Sequence, residues 1–281
     1  MGTLYVVGTP IGNLEDLTPR AARVLGQVSL IAAEDTRVTR RLLNHLKVRA
    51  PLLSYNEHNQ RERLPALLDA LAEGNVALVT DAGMPGVSDP GAELVAKAAA
   101  AGHLVESVPG VSAVTTALAM SGLPGDGFLF AGFLPRRKRD RLAKLETLSR
   151  EPQTLVIFEA PHRLLACLTD LVAVLGDREL AVCRELTKLH EEVFRGTISQ
   201  ALEHFAEPRG EFVLVIRGKP SPAASPEPAE DDLEEARQQL AGLRTKGIRA
   251  RDAVAQVAET MRMPKNVVYR LWLQEARPKH D

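Results

Sequence analysis

The chain has 281 residues, of which 45% are hydrophobic, 25% charged and 4% aromatic, and its formal net charge is −1. This length accommodates two domains and a short appendage, and the near-zero charge excludes a global attraction to nucleic acid or membrane. Cys167 and Cys183 each lie in an apolar run, which favours buried thiols over a disulfide framework, and we expect no metal site. Because no signal peptide and no apolar run of the ~20 residues that span a bilayer is visible, we expect a soluble cytoplasmic protein.

The first 217 residues alternate short β-branched runs with longer helical patterns. The predicted strands are Leu4–Val7, Leu30–Ala33, Val76–Val79, Leu104–Val108, Phe128–Gly132, Leu155–Phe158, Leu180–Cys183 and Phe212–Ile216. The predicted helices include Thr36–His45, Gln60–Ala72, Gly91–Ala101, a segment after Ala113, Lys138–Leu148 and Pro161–Leu175. This alternation is typical of α/β layers with parallel or mixed sheets. We expect two α/β domains, at residues 1–118 and 119–218.

The composition changes at residue 219. Residues 219–230 contain four prolines and no apolar periodicity, which indicates an extended linker. Three helices are predicted within residues 231–281, at Asp232–Lys246, Ala250–Met261 and Pro264–Ala276. From Arg237 onward Lys and Arg outnumber Asp and Glu, and the helix–turn–helix spacing is compatible with nucleic-acid binding. The alternative is a small bundle that docks on the rest of the chain or mediates dimerisation.

Three loops after predicted strands are rich in Gly, Pro, Asp and Ser, as ligand-binding loops of α/β proteins often are. They are Gly8–Asn13 (GTPIGN), Thr80–Gly91 (TDAGMPGVSDPG) and Val108–Thr116 (VPGVSAVTT). The first could also be a plain tight turn; Asp89 could instead cap the helix beginning near Gly91, and Ser112 is either a cap or a ligand contact. Neither G-x-G-x-x-G nor a P-loop motif occurs, which leaves a nucleotide-like ligand without phosphates.

Four further loops at strand ends combine acids with bases, whereas simple turns need only Gly, Asn and Ser. They contain AEDTR, YNEHN, FEAPHR and CRELTK, with the candidates Glu34, Asp35, Arg37, Asn56, Glu57, His58, Glu159, Arg163, Arg184, Glu185 and Lys188. Each has a simpler explanation as well. Glu34 and Asp35 could only cap a helix, His58 could be merely solvent-exposed, and Glu159 with Arg163 could form an ordinary ion pair.

A basic cluster, PRRKRDR at residues 135–141, opens the helix predicted at Lys138–Leu148. It is either a solvated helix face or a phosphate-binding surface. Tyr55, Phe133 and Trp272 are the visible candidates for stacking on nucleic-acid bases.

Seven motifs occur in the order GTPIGNLEDLTPRA, AEDTRVTRRLL, SYNEHN, TDAGMPGVSDPG, VPGVSA, FEAPHRL and CRELTKLHEEVFRG. Over residues 1–218 the chain thereby resembles the ribosomal RNA small subunit methyltransferase I family, within the tetrapyrrole-methylase superfamily. The resemblance implies two α/β domains with S-adenosylmethionine in the cleft between them, plus a small C-terminal helical module. It also implies a homodimer that acts on ribosomal RNA or the small ribosomal subunit and methylates a cytidine 2′-hydroxyl in the decoding region.

Positional matching to this family implies a set of cofactor-binding residues. They are Pro10, Asp81, Ala82, Gly83, Met84, Pro85, Val87, Ser112, Ala113, Phe158, Glu159 and Ala160. This chain departs from the family pattern in one loop. Relatives acting on tetrapyrroles have Gly-Asp-Pro where this chain reads Ala-Gly-Met-Pro, with an apparent insertion.

Methyl transfer to a ribose hydroxyl requires an aligned acceptor and benefits from a base, because the hydroxyl is a weak nucleophile. We predict Glu57, His58 and Asp35 as the catalytic residues. The predicted RNA-binding residues are Arg37, Arg136, Arg137, Lys138, Arg139, Lys188, Lys265 and Arg270. Two alternatives stay open: a methyltransferase of the same fold acting on a small molecule such as a cobalamin precursor, and a non-enzymatic, ligand-sensing DNA-binding regulator.

Overall fold

A computed structural model describes residues 2–219, 230–261 and 263–274, apart from the side chain of Asn266. The predicted linker at residues 219–230 therefore lies almost wholly outside the described residues. The chain divides into two compact units, Met1–Gly218 and Lys219–Asp281, called here the N-terminal and C-terminal units.

The first half of the N-terminal unit is built on a parallel five-stranded sheet of order β3-β2-β4-β1-β5. Its strands are β1 (Thr3–Val7), β2 (Leu30–Ala33), β3 (Leu52–Ser54), β4 (Val76–Val79) and β5 (Leu104–Val108). Its helices are α1 (Pro19–Leu25), α2 (Thr36–His45), α3 (Gln60–Glu73) and α4 (Ala92–Ala100), with a 3₁₀ turn at Leu14–Asp16.

The central strand β4 shows why this sheet forms. Its four residues are all apolar and fully buried, and successive side chains point to opposite faces. Val76 and Leu78 join the core beneath α3 and α4, whereas Ala77 and Val79 join the core that contains residues of α1 and α2. A parallel strand covered on both faces needs this continuous apolar run.

The second half carries a mixed five-stranded sheet of order β6-β7-β10-β8-β9, in which only the β6–β7 pair is parallel. Its strands are β6 (Phe128–Phe133), β7 (Thr154–Glu159), β8 (Glu179–Arg184), β9 (Glu192–Thr197) and β10 (Phe212–Ile216). The helices are α5 (Ala113–Ser121), α6 (Lys138–Leu148), α7 (Pro161–Leu175) and α8 (Ile198–His204). α5 packs on this second sheet through Val114 and Ala117.

The described part of the C-terminal unit consists of α9 (Glu230–Thr245), α10 (Ala250–Thr260) and α11 (Lys265–Gln274). Apolar residues of all three helices form a core of their own, to which α11 contributes Val268 and Leu271. Arg244 lies over the Trp272 ring, 4.1 Å from its centroid, and donates a hydrogen bond to the Trp272 carbonyl. The apolar face of α11 therefore packs within this unit, and the Trp272 ring is partly covered.

The predicted α/β fold is confirmed, and several element ends match the prediction at both limits. These are Leu30–Ala33, Val76–Val79, Leu104–Val108, Phe212–Ile216, Thr36–His45, Lys138–Leu148 and Pro161–Leu175. Both cysteines are buried and free, as expected. None of the helices in the described ranges combines the length and apolarity needed to cross a membrane.

Besides the 3₁₀ turn at Leu14–Asp16, the sequence analysis missed four elements, and two of them carry a readable signal. Thr18 caps α1 with Pro19 at its first position, and Thr197 with Gln200 forms a capping box at the start of α8. By contrast, β3 has only three residues and β9 is a partly polar edge strand, so neither shows an apolar period.

Candidate functional site

The strand order of the first sheet places four loops side by side at one edge. β2, β4, β1 and β5 are neighbours in that order and run in the same direction, so their carboxyl ends meet. The loops that follow them begin at Glu34, Thr80, Gly8 and Pro109. Ligands of α/β proteins bind in the crevice outside such ends.

Hydrogen bonds hold together the three predicted ligand loops, Gly8–Asn13, Thr80–Gly91 and Val108–Thr116. The amides of Thr9 and Gly83 each donate to the other residue's carbonyl, at 2.9 and 3.1 Å. The Gly8 amide donates to Val108 O at 2.9 Å, and the buried Thr9 hydroxyl donates to Thr80 O at 3.0 Å. The three loops therefore form one rigid surface.

Glycine is required where the first and third of these loops touch. A Cβ atom on Gly8 would lie 2.7 Å from Gly110 N and 2.7 Å from Met84 Sδ. Gly83, in the second loop, has φ +78°, a left-handed conformation that favours glycine. The Gly-rich composition seen in the sequence thus reflects backbone packing between loops.

Acidic residues connect the β2 and β4 loops. Glu34 Oε2 accepts a hydrogen bond from Asp81 N at 3.2 Å, and Asp81 Oδ1 accepts one from Asp35 N at 3.0 Å. Asp35 caps α2 through a hydrogen bond from Arg37 N at 2.8 Å. Of the pair proposed as helix caps, Asp35 has that role, and Glu34 instead fixes the neighbouring loop.

A cavity of about 520 Å³ opens between this edge and the second sheet. It is called here the cofactor cleft, after the cofactor-binding residues that the resemblance implies. Its walls are mainly apolar, with a few carboxylates. The lining from the first half is Ile11, Glu34, Asp81, Ala82, Gly83, Met84, Val87, Ser88 and Asp89. The remainder is Ser112, Ala113, Val114, Phe133, Phe158, Glu159, Ala160, Pro161, His162, Cys183, Leu186, Glu211, Phe212 and Val213.

Most of the cofactor residues implied by the resemblance line this cleft. Of the implied residues, all of which the structure describes, only Pro10 and Pro85 lie outside the lining. Ile11 lines it in place of Pro10, and Pro85 is buried. Sequence reasoning did not assign Ser88, Asp89, Phe133, His162 or Leu186 to the cofactor site. Ser88, Asp89, His162 and Leu186 lie within the quoted motifs, which was the available signal, whereas Phe133 lies outside them.

Burial raises the pKa of three carboxyl groups that face the cleft. The pKa of Asp89 is raised to about 6, first by burial and then by the nearby charges of Glu34 and Asp81. Burial also raises the pKa of Glu34 and of Asp81. A partly buried acidic cluster of this kind favours a cationic ligand, because desolvated negative charge is stabilised by positive charge.

A second cavity of about 600 Å³, called here the polar pocket, adjoins the cofactor cleft. The two share Glu34, Ser88, Asp89 and Phe133. The rest of the polar pocket is lined by Asp35, Thr36, Arg37, Ser54, Asn56, Glu57, His58 and Pro90. The predicted catalytic residues Glu57, His58 and Asp35 therefore come together here, with the predicted RNA contact Arg37.

The carboxylate of Asp35 forms an ion pair with the Arg37 guanidinium. Arg37 Nη2 lies 2.6 Å from Asp35 Oδ2, and Arg37 Nε lies 3.0 Å from Oδ1. The hydrogen bond from Arg37 lowers the pKa of Asp35 to about 2. A carboxylate with so low a proton affinity is a weak general base at neutral pH.

Two proposed roles from the sequence are wrong. Asp89 does not cap α4, because the N-cap is Gly91 and Asp89 lines the two cavities instead. Tyr55 cannot stack on a base, because it is fully buried in the core with α3 and α4. Phe133, the other candidate in the N-terminal unit, is 56% exposed.

Several basic candidates form ion pairs. Lys188 Nζ lies 2.9 Å from Glu185 Oε1 and 2.8 Å from Glu211 Oε2, and Arg163 Nε lies 3.3 Å from Glu159 Oε1. The Glu159–Arg163 pair is the ordinary ion pair considered above. Within residues 2–219, 230–261 and 263–274, no three His, Cys, Asp or Glu side chains are grouped as a metal site requires.

Six of the predicted RNA-binding residues are exposed on two surfaces, whereas Arg37 is exposed at the polar pocket. Arg136, Arg137, Lys138 and Arg139 are all exposed at the start of α6, and Lys265 and Arg270 are exposed on α11. The fifth basic residue of the first cluster, Arg141, is buried and pairs with Asp170 at 2.7 Å.

Comparison with known proteins agrees with this arrangement. Residues 3–202 match the tetrapyrrole (corrin/porphyrin) methylase family. A crystal structure of uroporphyrin-III C-methyl transferase from Thermus thermophilus, complexed with S-adenyl homocysteine, superposes with a TM-score of 0.55 at 24% identity, covering 77% of this chain and 97% of that one. The chain therefore has the fold of the tetrapyrrole methylases and belongs to that class of proteins.

Two relatives identify the particular family within this class to which the chain belongs. The ribosomal RNA small subunit methyltransferase I of Synechocystis sp. is 48% identical over 98% of both chains. The protein of the same name from Thermotoga maritima is 51% identical over 222 residues, which are 78% of this chain and the whole of that relative. The chain belongs to the ribosomal RNA small subunit methyltransferase I family.

Proposed function

We propose that this protein transfers a methyl group from S-adenosylmethionine to the 2′-hydroxyl of a cytidine in the decoding region of small-subunit ribosomal RNA. The observation that carries the proposal is the 48% identity over 98% of the chain to a relative named for ribosomal RNA methylation. The family resemblance also leads us to propose a cytoplasmic homodimer whose substrate is the RNA or the small subunit.

The cofactor cleft fits S-adenosylmethionine in size and in chemistry. Its volume of about 520 Å³ is in the range of small-molecule sites. Apolar walls such as Met84, Phe158 and Val213 suit the adenosine part. The carboxylates of Glu34, Asp81 and Asp89 suit a ligand with sulfonium and ammonium charges. The Gly8–Gly110 contact lets the two loops approach closely enough to form one wall.

The bound cofactor supplies a methyl group on a positively charged sulfur, which is a strong electrophile. The protein must then hold the acceptor oxygen close to that methyl group and aligned with it, since proximity and alignment lower the barrier most. Val87 and Phe158 line the apolar side of the cleft, so a ligand packed against them is shielded from water on that side. The adjoining polar pocket is the place from which an acceptor can approach, because the two cavities share a wall.

The function is tested by incubating the purified protein with radiolabelled S-adenosylmethionine and small-subunit RNA or subunits. We expect label on a ribose, identified by mass spectrometry of the digested nucleosides. Label on a base, or on a tetrapyrrole but no RNA, would contradict the proposal. Calorimetry should also show one cofactor bound per chain; binding of a nicotinamide nucleotide instead would contradict the cofactor assignment.

The exposed cluster at the start of α6 should contribute electrostatically to RNA binding. Changing Arg136, Arg137, Lys138 and Arg139 to alanine should weaken RNA affinity and flatten its salt dependence, with cofactor affinity unchanged. Each lost phosphate contact should lower the log–log salt slope by roughly 0.7–0.9. The matched control changes Arg20, Arg23, Arg40 and Arg61, which lie outside both cavities, and should leave the slope nearer to wild type. An unaltered slope in the α6 variant would identify the cluster as an ordinary solvated face.

Removing the C-terminal unit should leave a folded N-terminal unit that methylates RNA poorly. The three C-terminal helices have their own core, and the Thermotoga maritima relative has about the length of the N-terminal unit. A chain ending at Gly218 should therefore bind cofactor with wild-type affinity and melt within a few degrees of the full chain. Exposed Lys265 and Arg270 are the proposed RNA contacts, so K265A/R270A in the full chain should reproduce part of the activity loss. A large fall in melting temperature would contradict independent folding.

A further inference from the structure

The boundary between the two cavities is the structural basis of this inference. Glu34, Ser88, Asp89 and Phe133 line both the apolar cofactor cleft and the polar pocket. A polar molecule in the polar pocket can react with a ligand of the cofactor cleft only if its reacting group passes the wall that the two cavities share. The chemistry of its side chains therefore decides what the second molecule is.

Phe133 provides an aromatic face at this wall. It is the last residue of β6, directly after a register shift between Phe130 and Gly132, where Gly132 adopts φ +64°. Such irregularities redirect side chains next to active sites. The Phe133 ring packs edge-on against Phe158, with 5.6 Å between centroids, yet 56% of the residue is exposed. An exposed, buttressed aromatic ring in a polar pocket is typical of nucleobase stacking.

The opposite side of the polar pocket is a rigid, polar loop. The Asn56 side chain accepts from His58 N at 3.0 Å, and the Asn59 side chain accepts from Asn56 N at 2.8 Å. Both Asn side chains also donate to the Ser54 hydroxyl. These bonds fix the loop that presents Glu57 and His58. The pocket is thus a preorganised polar site of about 600 Å³.

Of the two carboxylates that line both cavities, Glu34 already accepts a hydrogen bond from Asp81 N, which favours Asp89 as the proton acceptor. It lies close enough to Glu34 and Asp81 to interact with their charges, and it shares the polar pocket with Asp35, Arg37, Glu57 and His58. Burial together with the charges of Glu34 and Asp81 raises its pKa to about 6, and the adjacent Thr80 hydroxyl opposes this shift. Such a carboxylate is ionised at neutral pH and yet basic enough to accept a proton. Asp35, by contrast, is engaged by Arg37.

We propose that the polar pocket receives the acceptor nucleoside, with its base against Phe133 and its ribose hydroxyl hydrogen-bonded to Asp89, which takes the proton. This inference rests on the proposed function and deepens it. In the reaction the O–H bond breaks and its proton passes to the Asp89 carboxylate. The oxygen forms a bond to the methyl carbon as the carbon–sulfur bond breaks, and the electron pair of that bond stays on sulfur.

The test of Asp89 compares single-turnover methylation by wild type, Asp89→Asn and the exposed control Asp69→Asn across pH 5–9. The wild-type rate should rise with pH through a midpoint near 6 and become constant above neutral pH, because only ionised Asp89 accepts the proton. Asp89→Asn should lose at least about a hundredfold in rate at saturating cofactor, where a change in cofactor affinity does not affect the comparison. The His58→Gln variant should keep the pH midpoint of the wild-type rate profile. This result would show that the group titrating in the profile is the Asp89 carboxylate and not the His58 imidazole.

Carboxyl NMR of the free protein provides a readout independent of activity: one aspartate should titrate near pH 6, and its signal should be missing in Asp89→Asn. A wild type that methylates ribose while Asp89→Asn retains its rate within twofold would overturn the role of Asp89. A wild type that labels no RNA ribose would instead overturn the proposed function.

The test of Phe133 measures RNA affinity with cofactor product present. Phe133→Ala should weaken RNA binding about tenfold, and Phe133→Trp should retain it, because stacking needs only an aromatic face. The control Phe128→Ala removes an exposed ring from the other end of β6, outside both cavities, and should not change RNA affinity. Equal RNA affinity of Phe133→Ala and wild type would overturn the stacking role.

Discussion

Replacing Arg141 with alanine should lower the free energy of unfolding by about 3–5 kcal/mol, because it leaves a buried carboxylate without its main partner. The side chains of Arg141 and Asp170 are 9% and 5% exposed, and Arg141 Nη2 and Nε lie 2.7 and 2.8 Å from Asp170 Oδ2. Lys138 Nζ, at 3.9 Å from Asp170 Oδ1, compensates only in part because it is largely exposed. Denaturant unfolding of both proteins measures the difference.

Two further variants distinguish pairing from packing. Arg139→Ala removes an exposed neighbouring charge and should change stability by less than about 0.5 kcal/mol. The double variant Arg141→Met/Asp170→Leu should recover most of the loss, since apolar replacement of a buried pair is often neutral. A loss below about 1 kcal/mol in Arg141→Ala would contradict the structural role of this pair.

Arg141 also links stability to the proposed RNA surface. Its Nη1 donates to the carbonyls of Arg136 and Pro135, at 3.1 and 3.3 Å. These bonds fix the turn that presents the exposed residues Arg136 to Arg139. Within the basic cluster, therefore, the buried Arg141 fixes the turn, while Arg136, Arg137 and Arg139 face solvent and the exposed Lys138 lies 3.9 Å from Asp170.

The sequence could predict the fold because the buried strands carry continuous apolar runs. β4 and β10 are buried along their whole length, and both were predicted at the correct limits. Edge strands have no such signal: β3 and β9 are not fully buried at any position. Short capped helices were missed although Thr18-Pro19 is a recognisable start.

The sequence could predict which loops form the candidate site, but not which residue of those loops has which role. Loops after parallel strands meet at one edge, so the motifs around Gly8, Asp81 and Ser112 could be assigned to one ligand. The role proposed for Asp89 depends on its burial and on Glu34, which is distant in sequence and comes close only through β2–β4 pairing. Tyr55 and Phe133 likewise differ in exposure for reasons of packing that no local pattern reveals.

Replacing Gly8 with valine should abolish cofactor binding, measured by calorimetry with S-adenosylmethionine and its demethylated product. Even the first added carbon would lie 2.7 Å from Gly110 N and 2.8 Å from Gly110 Cα, where ordinary contact begins at 3.4 Å. The two loops must then separate by about 0.7 Å, and Met84, which lines the cleft, must shift as well. A misplacement of ~1 Å can cost about a hundredfold in rate, so Gly8→Ala should already reduce methyl transfer by roughly that factor.

The matched control is Gly26→Ala at the end of α1. Gly26 has φ −82°, and a Cβ there would meet its nearest neighbours at 3.5 Å, which is ordinary contact. This variant should keep wild-type cofactor affinity, which shows that adding a methyl group to a glycine is not harmful in itself. Circular dichroism and thermal melting identify any unfolding in Gly8→Ala, whose smaller side chain allows the fold to persist if the loops separate. A folded Gly8→Ala with cofactor affinity and rate within threefold of wild type would show that the Gly8–Gly110 contact does not shape the cleft.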